Sequence, residues 1–223
     1  MSTVHGPDAR TAPSAVRHLV VVSGGVGQPS STRLLADRMT GSAVASLAVV
    51  GLTAQVEVVD VRDLARDQTS MVLTGVPTPR LGEAFGVVAA ADAVLLVTPI
   101  YSGSYPGMVK DFLDLLPPDA LRGLPVLMGA TAGTARHALA LEHAVRPLLS
   151  HLGALVVPTG VFAATEDFGE VTGSTTADEV PLSVRISRAG TELAELVAQR
   201  APRSPAADPF ALTASFEELL RGQ

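Results

Sequence analysis

Three stretches of this sequence combine glycine, proline and hydroxyl side chains in a way that suits a bound anion and a flat ring. The first is Ser23-Gly-Gly-Val-Gly-Gln-Pro-Ser-Ser-Thr-Arg33. Its glycines let backbone N–H groups turn toward an anion. Ser23, Ser30, Ser31 and Thr32 add hydroxyl donors, and a helix starting there contributes partial positive charge. A phosphate suits this loop; the competing reading is that one of Ser30, Ser31 or Thr32 is only a helix N-cap. The second stretch, Thr98-Pro-Ile-Tyr-Ser-Gly-Ser-Tyr-Pro-Gly107, is stiffened by Pro99 and Pro106 and presents Tyr101 among Ile100, Ser102 and Gly103. It suits a planar ring or, more plainly, is a rigid turn in which Tyr101 packs. In the third, Gly129-Ala-Thr-Ala-Gly-Thr-Ala135, the small residues Thr131, Ala132, Gly133 and Thr134 leave room for such a ring and can bond its carbonyls and nitrogens.

Each stretch follows an apolar run. Leu19–Val22, Ala93–Val97, Pro125–Met128 and Ala154–Val157 are apolar almost throughout, as strands covered on both faces are, whereas Gln55–Asp60 approaches the alternation of a half-covered edge strand. Helical periodicity runs from Thr32 past Met39, more weakly over Arg80–Ala91, and over Pro106–Leu116, Thr134–Leu152 and Ser183–Gln199. Pro147 cannot donate to the carbonyl of His143, so a kink or bulge is expected there. Strands alternating with helices require parallel pairing through right-handed crossovers, which predicts a doubly wound α/β sandwich. Ligands of such sheets collect beyond the carboxyl ends of the strands, where all three stretches fall. Residues 1–15 read as a loose tail and 16–200 as one domain. Residues 201–223 read as a proline-rich linker with a short helix over Phe210–Arg221. The polar stretch Ala163–Thr176 reads as a long loop.

Composition removes several functions. The 223 residues contain no cysteine, which excludes disulfides and thiolate metal sites and fits a reducing, cytoplasmic setting; no metal site is expected. Met1–Ala15 lacks the apolar centre of a signal peptide, and Ala43–Leu52 is too short to cross a bilayer. With a net charge of -6 and scattered Lys and Arg, nucleic acid is not an expected partner, and a small molecule is. Gly25-Val-Gly27-Gln-Pro-Ser30 approaches the dinucleotide fingerprint, with Asp60 as a ribose-binding acid. Pro29 and Ser30 disturb its third-glycine region, and Asp60 lies well beyond the usual spacing of about 20 residues. The Gly-Lys-Ser/Thr ending of a P-loop is missing, and Tyr105 and Lys110 stand one residue too far apart for a Tyr-x-x-x-Lys pair.

The loops together, with Pro99-Ile-Tyr-Ser-Gly-Ser-Tyr-Pro-Gly-Met-Val-Lys-Asp-Phe-Leu-Asp114, Thr131-Ala-Gly-Thr-Ala-Arg-His137 and Arg146-Pro-Leu-Leu-Ser-His-Leu-Gly153, resemble the NAD(P)H-dependent FMN reductases of the flavodoxin-like superfamily. The resemblance runs from Leu19 to Val161, and within the family it points to reductases that supply reduced flavin to alkanesulfonate-type monooxygenases. It implies a flavodoxin-like three-layer fold with a five-stranded parallel sheet in the order 2-1-3-4-5. It implies FMN and NADPH or NADH as cofactors, a flavin-dependent monooxygenase as partner, and a homodimer or homotetramer. Ser23 and Ser30 to Thr32 would hold the FMN phosphate, while Pro99 to Gly103 and Thr131 to Thr134 would flank the ribityl chain and ring. Related reductases can carry a π-type insertion in the helix holding His143.

The first loop departs from the family's frequent Gly-Ser-x-Arg, having Arg33 only later, so backbone and hydroxyl donors carry the phosphate and FMN is expected to bind weakly, as a substrate. Hydride transfer between stacked rings needs no acid or base, so no catalytic side chain is assigned. His137 and His143 are read as structural, and Arg80 and Arg136 either meet a 2′-phosphate or are surface charges. A quinone, azo or metal-ion reductase on the same scaffold stays open. So does a flavodoxin-type electron carrier, against which stand the absence of Trp, the two Tyr and the lack of a Thr-rich phosphate loop.

Overall fold

In the first strand, β1 (Val16–Ser23), Leu19 and Val21 enter one apolar layer while Val20 and Val22 enter the other. Burial on both faces is what demands helices above and below. The computed structural model describes residues 16–169 and 180–203. Over them the chain runs through α1 (Ser31–Val49), β2 (Thr53–Asp60), a 3-10 turn (Val61–Leu64), α2 (Ala65–Thr74), α3 (Pro79–Ala90), β3 (Ala93–Pro99), α4 (Gly107–Asp114) and β4 (Pro125–Ala132). Beyond a short 3-10 turn and a π-helical turn (Leu141–Val145) come α5 (Arg146–His151), β5 (Leu155–Val156), β6 (Val161–Ala164), a further 3-10 turn and α6 (Leu182–Ala198). All strands pair in parallel, in the order β2-β1-β3-β4-β5.

Helices α1 and α6 cover one face with Leu35, Met39, Leu47, Leu193 and Val197. On the other, α3 and α4 bring Phe85 and Phe112 together, their rings 5.6 Å apart. This is the expected three-layer sandwich. β2 lies at the edge, with Val56 and Val58 exposed, as its alternation foretold. Helix α2 was not foreseen, because it carries no apolar stripe: Gln68 is its sole buried residue. No helix among the described residues is long and apolar enough to cross a membrane. The N-terminal tail, the C-terminal helix expected over Phe210–Arg221 and residues 170–176 of the expected polar loop lie outside the described residues.

The sheet has six strands, not five. β5 pairs with Pro125 and Val126 at the start of β4, and β6 pairs with Gly129 to Ala132 at its end. Between them Val157 still donates to Val126 O at 2.9 Å, but Pro158 has no N–H to continue the ladder. The released backbone finds other partners. Thr159 N and Oγ1 donate to Glu192 of α6 at 2.8 and 2.7 Å, and Arg146 donates to the carbonyls of Val157 and Pro158 at 3.1 and 2.9 Å. Ala163 and Ala164, expected in a loop, are the buried end of β6, and Thr165–Phe168 is a 3-10 turn.

The continuous helix expected over Thr134–Leu152 is likewise interrupted. It begins as a 3-10 turn at Ala135–His137, widens into the π turn, and becomes α-helical only at Arg146. Pro147 supplies the cause, since the turn ending on it must do without one donor. Arg146 also bonds Glu142 at 2.5 and 2.9 Å, which holds that carboxyl below its usual range.

Burial works to raise the Glu192 pKa, but hydrogen bonds from Thr159 and Arg188 outweigh it and hold the carboxyl below its ordinary 4.5. A group depressed in the folded state stabilises above its unfolded pKa and loses that contribution as pH falls through the folded one. Glu192→Gln is therefore expected to cost about 1–2 kcal/mol at neutral pH, with a deficit that shrinks on acidification below 4.5. Urea unfolding of both proteins across this pH range measures it.

Candidate functional site

Strand register decides which residues meet. Ser23 ends β1 level with Asp60 of β2 and Val97 of β3, and Pro99 of β3 is level with Thr131 of β4. Three hydrogen bonds then join the loops that follow. Gly24 N donates to Val97 O at 2.8 Å, Ile100 N donates to Thr131 O at 2.8 Å, and the buried hydroxyls of Thr32 and Thr131 lie 2.8 Å apart. Thus the start of α1 is fixed to the end of β4 through two side chains 99 positions apart in sequence.

Ser23 is buried, yet its Oγ has no hydrogen-bond partner among the described residues. Such a hydroxyl costs about 1–3 kcal/mol unless something else bonds it. It lines a cleft of ≈200 Å³ with Gly25, Gly27, Gln28 and Ser30. A Cβ on Gly25 would sit 2.3 Å from Ser30 Oγ, so a side chain there would have to displace that hydroxyl. Ser30 has extended backbone and accepts from Arg33 N at 3.2 Å, so the N-cap reading holds for it while it also faces the cleft. Ser31 opens α1 and is exposed, whereas Thr32 turns inward to Thr131. The first turn of α1 leaves amides without helical acceptors, and the helix dipole favours an anion beside them.

Tyr101 and Ser104 exchange two backbone hydrogen bonds, of 2.8 and 3.1 Å, around Ser102 and Gly103. Both central residues have positive φ, 51° and 84°, as in a type I′ turn, which glycine adopts readily and serine does not. The turn lifts Tyr101 to 52% exposure, so it does not pack as the plainer reading held; Ile100 instead is in the core. Ala132 is half-buried, and Ser102, Gly103, Gly133 and Thr134 stand exposed at the rim. Ser23 and Ser30 therefore share a cleft whose lining continues onto Asp60 at the end of β2, the Thr32–Thr131 bond ties the start of α1 to β4, and the other two loops, at the ends of β3 and β4 on the opposite side of β1, contribute no residue to its lining.

The sequence reading missed the charges at the far side of this cleft. Asp60, Arg62, Asp63 and Arg33 line it. Arg33 Nη1 bonds Asp60 at 2.8 Å and its Nε bonds Asp37 at 2.8 Å. The Asp37 hydrogen bond first, then the charges of Asp37 and Asp60, raise the pKa of the guanidinium. Asp60 does end β2, as the dinucleotide alternative required, but it is engaged by Arg33. The signal was present, an acid at a strand end and an arginine in the first helical turn, but register was needed to join them. Elsewhere, Arg80 donates to Asp63 O at 3.0 Å, Lys110 pairs with Asp114 on α4, and Arg136, His137 and His143 are exposed.

Residues 17–169 match the family model for NADPH-dependent FMN reductases. An FMN reductase (NADPH) of Pseudomonas aeruginosa is 36% identical over 67% of this chain and 78% of its own. The NADH-dependent FMN reductase SfnF of Pseudomonas fluorescens is 32% identical over 80% and 90%. Among solved structures, an oxidoreductase of Corynebacterium diphtheriae is 41% identical and superposes with a TM-score of 0.78, covering 84% of this chain and 100% of that one.

Ser23→Ala separates a ligand role from a structural one. Removing an unbonded buried hydroxyl is expected to leave the stability of the flavin-free protein unchanged or raise it by about 1 kcal/mol. FMN affinity is expected to fall about tenfold, as for one charge-assisted hydrogen bond, with riboflavin nearly unaffected. Thermal melting and paired flavin titrations check both; equal losses for the two flavins would remove Ser23 from the phosphate site.

Proposed function

The chain belongs to the NADPH-dependent FMN reductase family, and we propose from this that it treats FMN as an exchangeable substrate and hands the reduced flavin to a separate flavin-dependent monooxygenase. It is an NAD(P)H:FMN oxidoreductase of flavodoxin-like fold. The relatives use either NADPH or NADH, as their names state. The observation that carries the site assignment is the glycine-rich cleft at the N-terminus of α1, lined by Ser23 and Ser30, together with a buried Ser23 hydroxyl that has no partner among the described residues. An anionic oxygen there would satisfy a group the protein leaves unsatisfied, so these residues fit the phosphate end of FMN.

When bound, FMN supplies the two-electron acceptor, which takes a hydride from NAD(P)H and one proton from solvent. The protein's contribution is position, since donor carbon and acceptor nitrogen must approach to about 3–3.5 Å. Ser23, Ser30, Ser31 and the first amides of α1 hold the phosphate. Thr32 and Thr131, through their mutual bond, keep that anchor at a fixed distance from the ring site. Pro99 to Gly103 and Thr131 to Thr134 would flank the ring. No side chain in either loop is required to move a proton.

Open rim residues and a cleft whose formal charges cancel, Arg33 and Arg62 against Asp60 and Asp63, support exchange over permanent retention. We place the enzyme in the cytoplasm. A symmetric homodimer or homotetramer is part of this reading, closed symmetry being the commonest form of assembly. Sedimentation equilibrium is expected to return one of these, and a monomer at every workable concentration would exclude both.

The full-length protein is expected to lose FMN on dilution, to oxidise NADPH or NADH only when FMN is added, and to pass reduced FMN to an added monooxygenase. Nicotinamide absorbance with and without FMN, before and after dialysis, checks this. A protein that keeps one FMN through dialysis and is not reduced by either nicotinamide is instead an electron carrier.

A further inference from the structure

Building on the reductase reading, we propose that Asp60 tethers Arg33 away from the flavin phosphate and thereby keeps FMN exchangeable. Arg33 follows directly on the Ser30–Thr32 cluster and lines the same cleft as Ser23 and Ser30. With Arg62 it is one of two cations lining the cleft, and it is the one in the first turn of α1, beside the Ser30–Thr32 cluster. Its Nε is held by Asp37 at 2.8 Å and its Nη1 by Asp60 at 2.8 Å, leaving Nη2 without a bond among the described residues. The two carboxylates differ in place. Asp37 is one turn further along α1, outside the cleft, whereas Asp60 lines it, level with Ser23 across the β1–β2 ladder.

Asp60 therefore acts twice. It occupies a donor that a bidentate phosphate contact would need, and it sets a negative charge beside an incoming dianion. The Arg33 and Asp60 side chains are 42% and 36% exposed, so the pair is water-screened and weak enough for a phosphate to compete with it. FMN is thereby admitted without being locked in. Riboflavin, lacking the phosphate, has nothing to gain from Arg33.

The test is titration of FMN and riboflavin into the flavin-free full-length protein, followed by flavin fluorescence, for the wild type, Asp60→Asn, Asp37→Asn and Arg33→Gln/Asp60→Asn. Asp60→Asn is expected to tighten FMN about tenfold and slow its dissociation correspondingly, with riboflavin changed less than about twofold, and the gain should shrink as salt is raised. Asp37→Asn should have a smaller effect. The gain should vanish in the double variant. Asp60→Ser, which also removes the carboxylate, serves if Asp60→Asn melts early.

Equal tightening of both flavins, no tightening, or a gain that survives without Arg33 would each overturn the tether. These outcomes are distinct from failure of the reductase reading. That reading falls if the wild type neither binds FMN nor oxidises NAD(P)H in its presence.

Discussion

Parallel pairing sets the level at which everything else happens. Ser23, Asp60 and Val97 end neighbouring strands side by side, and Thr131 ends the next beside Pro99. A slip of one residue in any ladder would turn these side chains to the opposite face of the sheet. Because β1 is buried on both faces, with Leu19 and Val21 in one layer and Val20 and Val22 in the other, such a slip would swap side chains packed into two different layers. The core thus specifies the geometry of the polar rim, although none of its residues lies in the rim.

A second constraint, that buried backbone groups be bonded, explains the far edge of the sheet. Pro158 ends one ladder and Pro147 breaks one helix, and a single side chain spans both defects. Arg146 lies between the π turn and α5, bonding Glu142 on one side and the carbonyls of Val157 and Pro158 on the other. Glu192 of α6 takes the donors of Thr159. Two irregularities that would each weaken the fold are joined by ionised groups, so the strand can resume as β6 and deliver Phe162 and Ala164 to the core.

The fold was legible where periodicity was strong. The buried strands, the edge character of β2 and the helices with apolar stripes all follow from spacing. Helix α2 did not, because a helix burying little more than Gln68 leaves no stripe to read. The break after Val157 was hidden because an apolar run does not reveal which of its residues lose a ladder partner, and only the proline hinted at it. At the site, the loops were legible from glycine and hydroxyl content, but their roles were not. Ser30 proves to be both cap and cleft wall, Ile100 core, and Tyr101 rim. The Arg33–Asp60 pair joins residues 27 positions apart, and its contact is a product of register that local composition does not encode.

The nature of the donors around the cleft bears on what kind of flavin protein this chain is. Hydroxyls and amides bond a phosphate by dipoles, whose hold is modest and directional, while a free arginine fork would add a full charge and two parallel hydrogen bonds. Among the described residues the hydroxyl of Ser23 has no partner, while the guanidinium of Arg33 is committed to carboxylates. Affinity then rests on groups whose bonds to water are nearly as good as their bonds to the ligand. A carrier needs its flavin held through many redox cycles, whereas a reductase that feeds another enzyme must let go once per turnover. The proposed site, with Arg33 tied back by Asp37 and Asp60, would meet the second requirement, and the cost of the Ser23 hydroxyl would be recovered only while a phosphate is bound.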